Sequence, residues 1–315
     1  MNLYQFGRMS DILRVVIPID RPKLEGSIAV GDTRTRRIGF SEFGNPDGPT
    51  IVWLHGTPGA RRQIPSEARE YAETRGFRLI GLDRPGVGSS TAHSYDAIVD
   101  FAADFQTVLN TLGVDKFSII GLSGGGPYTL AVSHVLSDRI VSTAVIGGVA
   151  PVNGPDAVSG GAVDLAKHAV PLLNVAGRPI GKALSLALGF ARPIADPAIS
   201  LYGRLSPEAD RELLSRPEFR AMFLDDLLHG GSRRMEAPFA DLKLFVRDWG
   251  FRISDVQAKV HWWHGDADNI IPYEHGAHMV ALLPDAELHS MPGQSHLSGL
   301  DHAIEILDTL LAAWD

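Results

Sequence analysis

Residues 119–128 read IIGLSGGGPY, a serine at the end of an apolar run with three glycines after it. A serine hydroxyl attacks an acyl carbon only when a base takes its proton as the new bond forms. Gly121-Leu122-Ser123-Gly124-Gly125 fits the pattern G-x-S-x-G. In that pattern small residues two positions either side allow a sharp strand-to-helix turn that presents the oxygen clear of the backbone. N–H groups at the helix start then favour the negative charge of a tetrahedral intermediate. Such chemistry needs three more parts: a second N–H donor for the oxyanion, a base, and an acid to orient the base.

The stretch HGTPG, residues 55–59, leaves a neighbouring apolar run and supplies the first part. Thr57 is placed to donate its backbone N–H beside that of Gly124, with Gly56, Pro58 and Gly59 shaping the loop. One such donor is typically worth about 3 kcal/mol of transition-state stabilisation. Among the 12 histidines, His296 in MPGQSHLSG follows a glycine turn and is the expected base. His289 falls inside the preceding strand pattern and His302 inside the following helix, so both are less free to reach a site. His275 and His278 lie three apart on a helix without a matching carboxylate motif and read as surface residues rather than metal ligands. HWWHGDADNIIP offers Asp266 and Asp268 as the acid. Asp268 lies further into the loop, where it can turn toward an imidazole, and is preferred; Asp266 reads as a residue holding the turn.

Those residues need a scaffold that gathers them. RRIGFSEFG, TIVWLHG, GFRLIGLD, FSIIGL and IVSTAVIGG read as strands, and KVHWWHG and AELHSMPG repeat the theme near the carboxyl end. Helical patterns separate most of them. In one, Ile98, Phe101, Ala102, Phe105, Val108, Leu109 and Leu112 recur at three- and four-residue steps before Gly113. Alternation of this kind predicts an α/β fold with a mostly parallel, doubly wound sheet covered on both faces. Residues 152–250 break the rhythm with helical patterns and no clear strand, and predict an inserted helical cap. Within it, RPIGKALSLALGFARP (178–193) reads as a helix bracketed by prolines. The expected division is an N-terminal extension at 1–25, a core from 26–151 and 251–315, and the cap at 152–250.

Composition narrows the function classes. The formal net charge of −8 argues against nucleic acid as a partner. With no cysteine there is no disulfide, thiolate zinc site or cysteine nucleophile. The apolar run Ile12–Ile19 is short, interrupted by Arg14 and without a small-residue cleavage site, so it does not read as a signal peptide. No stretch approaches the roughly 18 apolar residues of a membrane span. The expectation is a soluble, cytoplasmic protein without a transmembrane segment.

Taken together, HGTPG, GLDRPGVGSS, GLSGGG, HGDADNIIP and GQSHLS resemble the α/β-hydrolase superfamily, in its order and over residues 30–315. The chain order serine, aspartate, histidine is that of this fold and differs from those of the two well-known serine protease folds. The resemblance implies Ser123 as nucleophile, His296 as base then acid, and Asp268 as orienting acid. It also implies an oxyanion hole from the N–H groups of Thr57 and Gly124, and a cap inserted after the strand ending near Gly148. Asp83 and Arg84 match a loop that is mainly structural in the family. Serine at the elbow argues against epoxide hydrolases and haloalkane dehalogenases, which carry aspartate there. Proline iminopeptidases usually show a glycine in place of Thr57 and a tryptophan after the serine. Monoacylglycerol lipases and carbon–carbon bond hydrolases usually have methionine or a similar residue where Gly124 stands.

The leading expectation is therefore a carboxylic ester hydrolase acting on a small-molecule acyl substrate, apolar or lipid-like, with no cofactor and no metal. An aminopeptidase is the alternative. It would need a cap carboxylate for the substrate ammonium, and Asp164, Asp225 and Asp226 are available there, although such residues usually sit on solvated surface. A binding protein on the same scaffold is the third reading, and such proteins usually lack one of the three side chains.

Overall fold

The computed structural model describes residues 19–167, 195–231 and 237–314. The expected helix at 178–193 and the first eighteen residues lie outside the described residues. Eight strands form one sheet: β1 Leu24–Val30, β2 Arg36–Gly44, β3 Thr50–Leu54, β4 Arg78–Leu82, β5 Phe117–Leu122, β6 Ile140–Ile146, β7 Val260–Gly265 and β8 Ala286–Met291. Their order across the sheet is β1-β2-β4-β3-β5-β6-β7-β8. β2 pairs antiparallel with both β1 and β4, and every other neighbouring pair is parallel. The fold is α/β with a mostly parallel, doubly wound sheet.

Side-chain alternation explains the two covered faces. Val52, Leu54, Phe117 and Ile119 pack on one side with the helices α2 Phe101–Thr111 and α3 Gly126–Val135. Ile51, Trp53, Ile120 and Leu122 pack on the other with α1 Ser66–Arg75. Successive strands β3 and β4 extend the sheet one way, and the chain then crosses back so that β5 pairs the opposite side of β3. The carboxyl ends of β3 and β5 therefore flank a topological switch point, where open α/β sheets form a ligand crevice. HGTPG leaves one of those ends and Ser123 the other.

β1 was not foreseen as a strand, and it starts within the expected N-terminal extension. Leu24 and Glu25 are exposed, Gly26 and Ser27 half-buried, and Ile28 and Val30 point to the core. An edge strand of that composition carries too little alternation to announce itself.

Between β6 and β7 the described residues form helices only: α4 Gly161–Ala166, α5 Ala195–Leu205, α6 Glu208–Ser215, α7 Pro217–Asp225 and α8 Ala237–Phe245, with a π-helical turn at Asp226–Gly231. Helices α9 Tyr273–Leu282 and α10 Ala303–Leu311 complete the fold. Among the described residues no helix is long and apolar enough to cross a membrane.

Acidic side chains tie the helical stretch to the sheet. Asp225 pairs with Arg62 at 2.9 Å and with the fully buried Arg69 at 3.0 Å. Asp226 accepts the backbone N–H groups of Ala60 and Arg62 at 2.9 and 3.0 Å. Neither is the solvated surface acid expected from sequence, because both are buried. Burial, with repulsion from Asp83, pushes the Asp226 carboxyl up to about 7 against the pull of the two N–H donors. A carboxyl raised in the folded state binds its proton more tightly there than in the unfolded chain. Its contribution to stability is thus complete below pH about 4 and is lost as pH rises to about 7. Asp226→Asn, which cannot ionise, is expected to gain stability relative to the parent by a few kcal/mol between pH 5 and pH 8. Chemical denaturation at both pH values measures the difference.

Candidate active site

Ser123 stands between β5 and α3 with φ +50°, a left-handed conformation that costs a non-glycine residue roughly 1 kcal/mol or more. The surrounding glycines relieve crowding. A Cβ on Gly125 would lie 2.5 Å from the carbonyl oxygen of Leu54 and 2.8 Å from that of His55. One on Gly121 would collide with the Thr129 hydroxyl and the Gly125 backbone. The turn can therefore seat against the end of β3 only without these side chains.

The three side chains singled out from sequence meet at the carboxyl ends of β5, β7 and β8. His296 Nε2 lies 2.8 Å from Ser123 Oγ, and His296 Nδ1 lies 2.7 Å from Asp268 Oδ2. Ser123, Asp268 and His296 are 9%, 7% and 6% exposed, so water screens their interactions only weakly. The other oxygen of Asp268 accepts the N–H groups of Ile270 and Ile271, each at 2.9 Å. Burial works to raise this carboxyl, but hydrogen bonding from His264 and His296 outweighs it. Asp268 is held well below the usual carboxylate range and stays ionised. Asp266 instead accepts the N–H of Gly293 at 2.7 Å, bracing the turn before His296.

The residues expected to hold an oxyanion are also neighbours. A Cβ on Gly124 would collide with the Thr57 side chain and lie 3.1 Å from Cζ of Phe245 in α8. Thr57 is held by a network that sequence reasoning missed. Its hydroxyl donates to Asp241 of α8 at 2.8 Å and accepts from Arg84 at 2.6 Å. Arg84 also donates to the carbonyls of His55 and Gly56 and pairs with Asp241 at 2.8 Å. Tyr128 donates to the second oxygen of Asp241 at 2.8 Å, and burial beside that carboxylate keeps its phenol protonated. Burial and the nearby Arg84 charge push His55 well below its ordinary pKa, so it stays neutral.

Two more residues shape the surroundings of His296. Asp210 of α6 is buried, and its Oδ1 accepts the N–H groups of Leu297 and Ser298 at 2.9 Å each. That fixes the backbone just past the imidazole. His264 lies beneath Asp268, with Nε2 2.9 Å from the carbonyl of Ile271 and 3.5 Å from Asp268 Oδ2. Its Nδ1 accepts the indole N–H of Trp262 at 3.1 Å, which assigns the proton to Nε2. His264 precedes Asp268 by four residues, which was a legible signal; Arg84 and Asp241 are 157 residues apart and gave none.

His275 is not the surface residue expected, and His278 is half-buried. His275 is buried with Nε2 3.2 Å from the carbonyl of Ser159, and His278 Nε2 lies 2.9 Å from that of Asp156. Both hold the segment that enters the helical stretch.

Removing Asp241 leaves the Arg84 guanidinium buried without its counter-ion and the Tyr128 hydroxyl without its acceptor. Asp241→Ala is expected to destabilise the fold by about 3–5 kcal/mol, and Asp241→Asn by less, as measured by urea denaturation.

Comparison with known proteins bears on the family. The α/β-hydrolase fold model matches residues 49–166. A proline iminopeptidase from Xanthomonas citri is 32% identical over 122 residues, 38% of this chain and 38% of that protein. A probable proline iminopeptidase from Leptolyngbya boryana is 30% identical over 43% of this chain, so the match spans about two fifths of that relative's length as well. A 2-hydroxy-6-oxo-6-phenylhexa-2,4-dienoate hydrolase from Burkholderia cepacia is 25% identical over 85% of this chain and 87% of its own. In three dimensions, a thermophilic esterase from Thermogutta terrifontis superposes with a TM-score of 0.62 at 19% identity, covering 92% of this chain and 99% of its own. An enol-lactonase from Burkholderia xenovorans does so at 0.65 and 18%, covering 92% and 99%. The match to the α/β-hydrolase fold model spans the serine turn, and likeness of fold extends along nearly the whole chain, so the protein has the α/β-hydrolase fold.

Proposed function

We propose that the protein is a serine hydrolase working through an acyl-enzyme, with a carboxylic ester of a small apolar or lipid-like acyl group as substrate. The relay from Ser123 Oγ through His296 to Asp268, at 2.8 and 2.7 Å, carries the reading. Ser123 Oγ attacks the carbonyl carbon while His296 Nε2 takes its proton. The oxyanion is received by the N–H groups of Thr57 and Gly124. Collapse of the intermediate breaks the bond to the leaving oxygen, which takes the proton from Nε2. Water then attacks the acyl carbon, gives its proton to Nε2, and Ser123 departs reprotonated with the free acid. Asp268 holds the imidazole in the right tautomer and stabilises the imidazolium at each proton transfer.

On this reading residues 152–250 are a cap over the core of 26–151 and 251–315, and 1–25 is an extension. Phe245 beside Gly124 supports an apolar acyl pocket. Likeness to proline iminopeptidases over two fifths of the chain favours the aminopeptidase as second reading. The acids it would borrow for an ammonium group weigh against it. Asp225 and Asp226 are buried in contacts with the core, and Asp164 pairs with Lys167 at 2.5 Å.

Hydrolysis of p-nitrophenyl esters of graded acyl length tests the proposal. Ser123→Ala should lose turnover with its thermal midpoint nearly unchanged, and retained turnover would sink the assignment. Asp268→Asn should lower kcat by about 10⁴-fold, as loss of the correct tautomer does in such triads. Asp266→Asn should stay within about 10-fold, because its carboxylate only braces Gly293. The reverse ranking would make Asp266 the acid.

A further inference from the structure

Among the described residues, one group of histidine and carboxylate side chains away from Ser123 gathers its donor atoms closely. His261, Glu287 and His289 place them within 4.8 Å of one another. They sit on the last two strands, where β7 and β8 pair in parallel with His261 opposite Glu287 and Trp263 opposite His289. Alternation puts all three on one face, and the hydrogen-bonded ladder sets their spacing.

The atoms form a compact triangle. His261 Nδ1 lies 3.1 Å from His289 Nε2 and 3.5 Å from Glu287 Oε2, and the remaining edge is 3.9 Å. A point about 2.1 Å from all three exists at its centre, which matches the ~2.0–2.2 Å bonds of zinc to imidazole nitrogen and carboxylate oxygen. The rings are also prearranged. His289 stacks on Trp263 with centroids 4.2 Å apart and planes at 8°, and the His261 side chain is 9% exposed. Glu287, at 56%, leaves one side open for water as a further ligand.

We propose that His261, Glu287 and His289 form a binding site for a divalent transition ion of the zinc class. Two imidazoles and a carboxylate suit such an ion better than magnesium or calcium, which prefer all-oxygen shells. His261 and Glu287 are the second residues of β7 and β8 and His289 the fourth of β8, whereas the loops bearing Asp268 and His296 leave the carboxyl ends of the two strands. The ion therefore clamps the outer edge of the sheet and takes no part in acyl transfer. Without it, the two facing nitrogens share one proton in an ordinary hydrogen bond.

The test uses the full untagged chain, stripped with a chelator and titrated with Zn²⁺ alone by calorimetry and by competition with a chromogenic chelator. The expected result is one ion per chain, a thermal midpoint raised by several degrees at about 100-fold excess over Kd, and unchanged ester hydrolysis. His289→Ala and Glu287→Gln, both on partly open side chains, should each weaken binding by at least about 10-fold while remaining folded by circular dichroism. Co²⁺ in the same site should give visible d–d bands that vanish in His289→Ala. Absence of saturable binding below about millimolar Zn²⁺, or affinity untouched by both substitutions, would overturn the proposal and leave a hydrogen-bonded histidine pair.

Discussion

A carboxylate almost out of reach of water must be paired, and the 2.7 Å contact of Asp268 with His296 is the pairing this molecule is arranged around. The two residues are 28 apart and hang from different strands. They meet only because β7 and β8 are parallel neighbours whose carboxyl ends open at the same edge. Gly147, at φ +52°, ends β6 so closely that a Cβ there would touch both partners. Without that pair the imidazole facing Ser123 would lose the partner that orients it.

The helical stretch between β6 and β7 supplies a second support. Asp210 holds the backbone after His296, Asp241 holds Thr57 through a hydroxyl, and Asp225 and Asp226 grip the segment after HGTPG. Each acid meets either a cation or backbone N–H groups, which offset part of the penalty of burying it, although at Asp210 and Asp226 burial still prevails and raises the carboxyl. The predicted oxyanion loop is thus shaped from both sides, by the sheet through Arg84 and by α8 through Asp241. This coupling also means that changes in the helical stretch will be felt at the serine.

Much of this was legible in the sequence where the controlling interactions are local. Five of the eight strands, β3 to β7, are short runs buried along most of their length, and the G-x-S-x-G glycines encode close approach. Position within the loop favours Asp268 over Asp266, and in the structure Asp268 lies against His296 while Asp266 accepts the N–H of Gly293. What was hidden depends on partners far along the chain. Asp225, Asp226 and Asp241 look like ordinary helix-surface acids until the fold brings Arg62, Arg69 and Arg84 to them. His275 and His278 failed for the same reason, since their partners are carbonyls more than a hundred residues away.

The central claim is that Ser123 is a nucleophile activated by His296. Reaction with a fluorophosphonate probe, followed by peptide mapping, tests it most directly, because the probe bonds only to a serine whose proton is being removed. The account predicts a single adduct on Ser123 that disappears in His296→Ala. An unlabelled, folded protein, or an adduct on another serine, would contradict it.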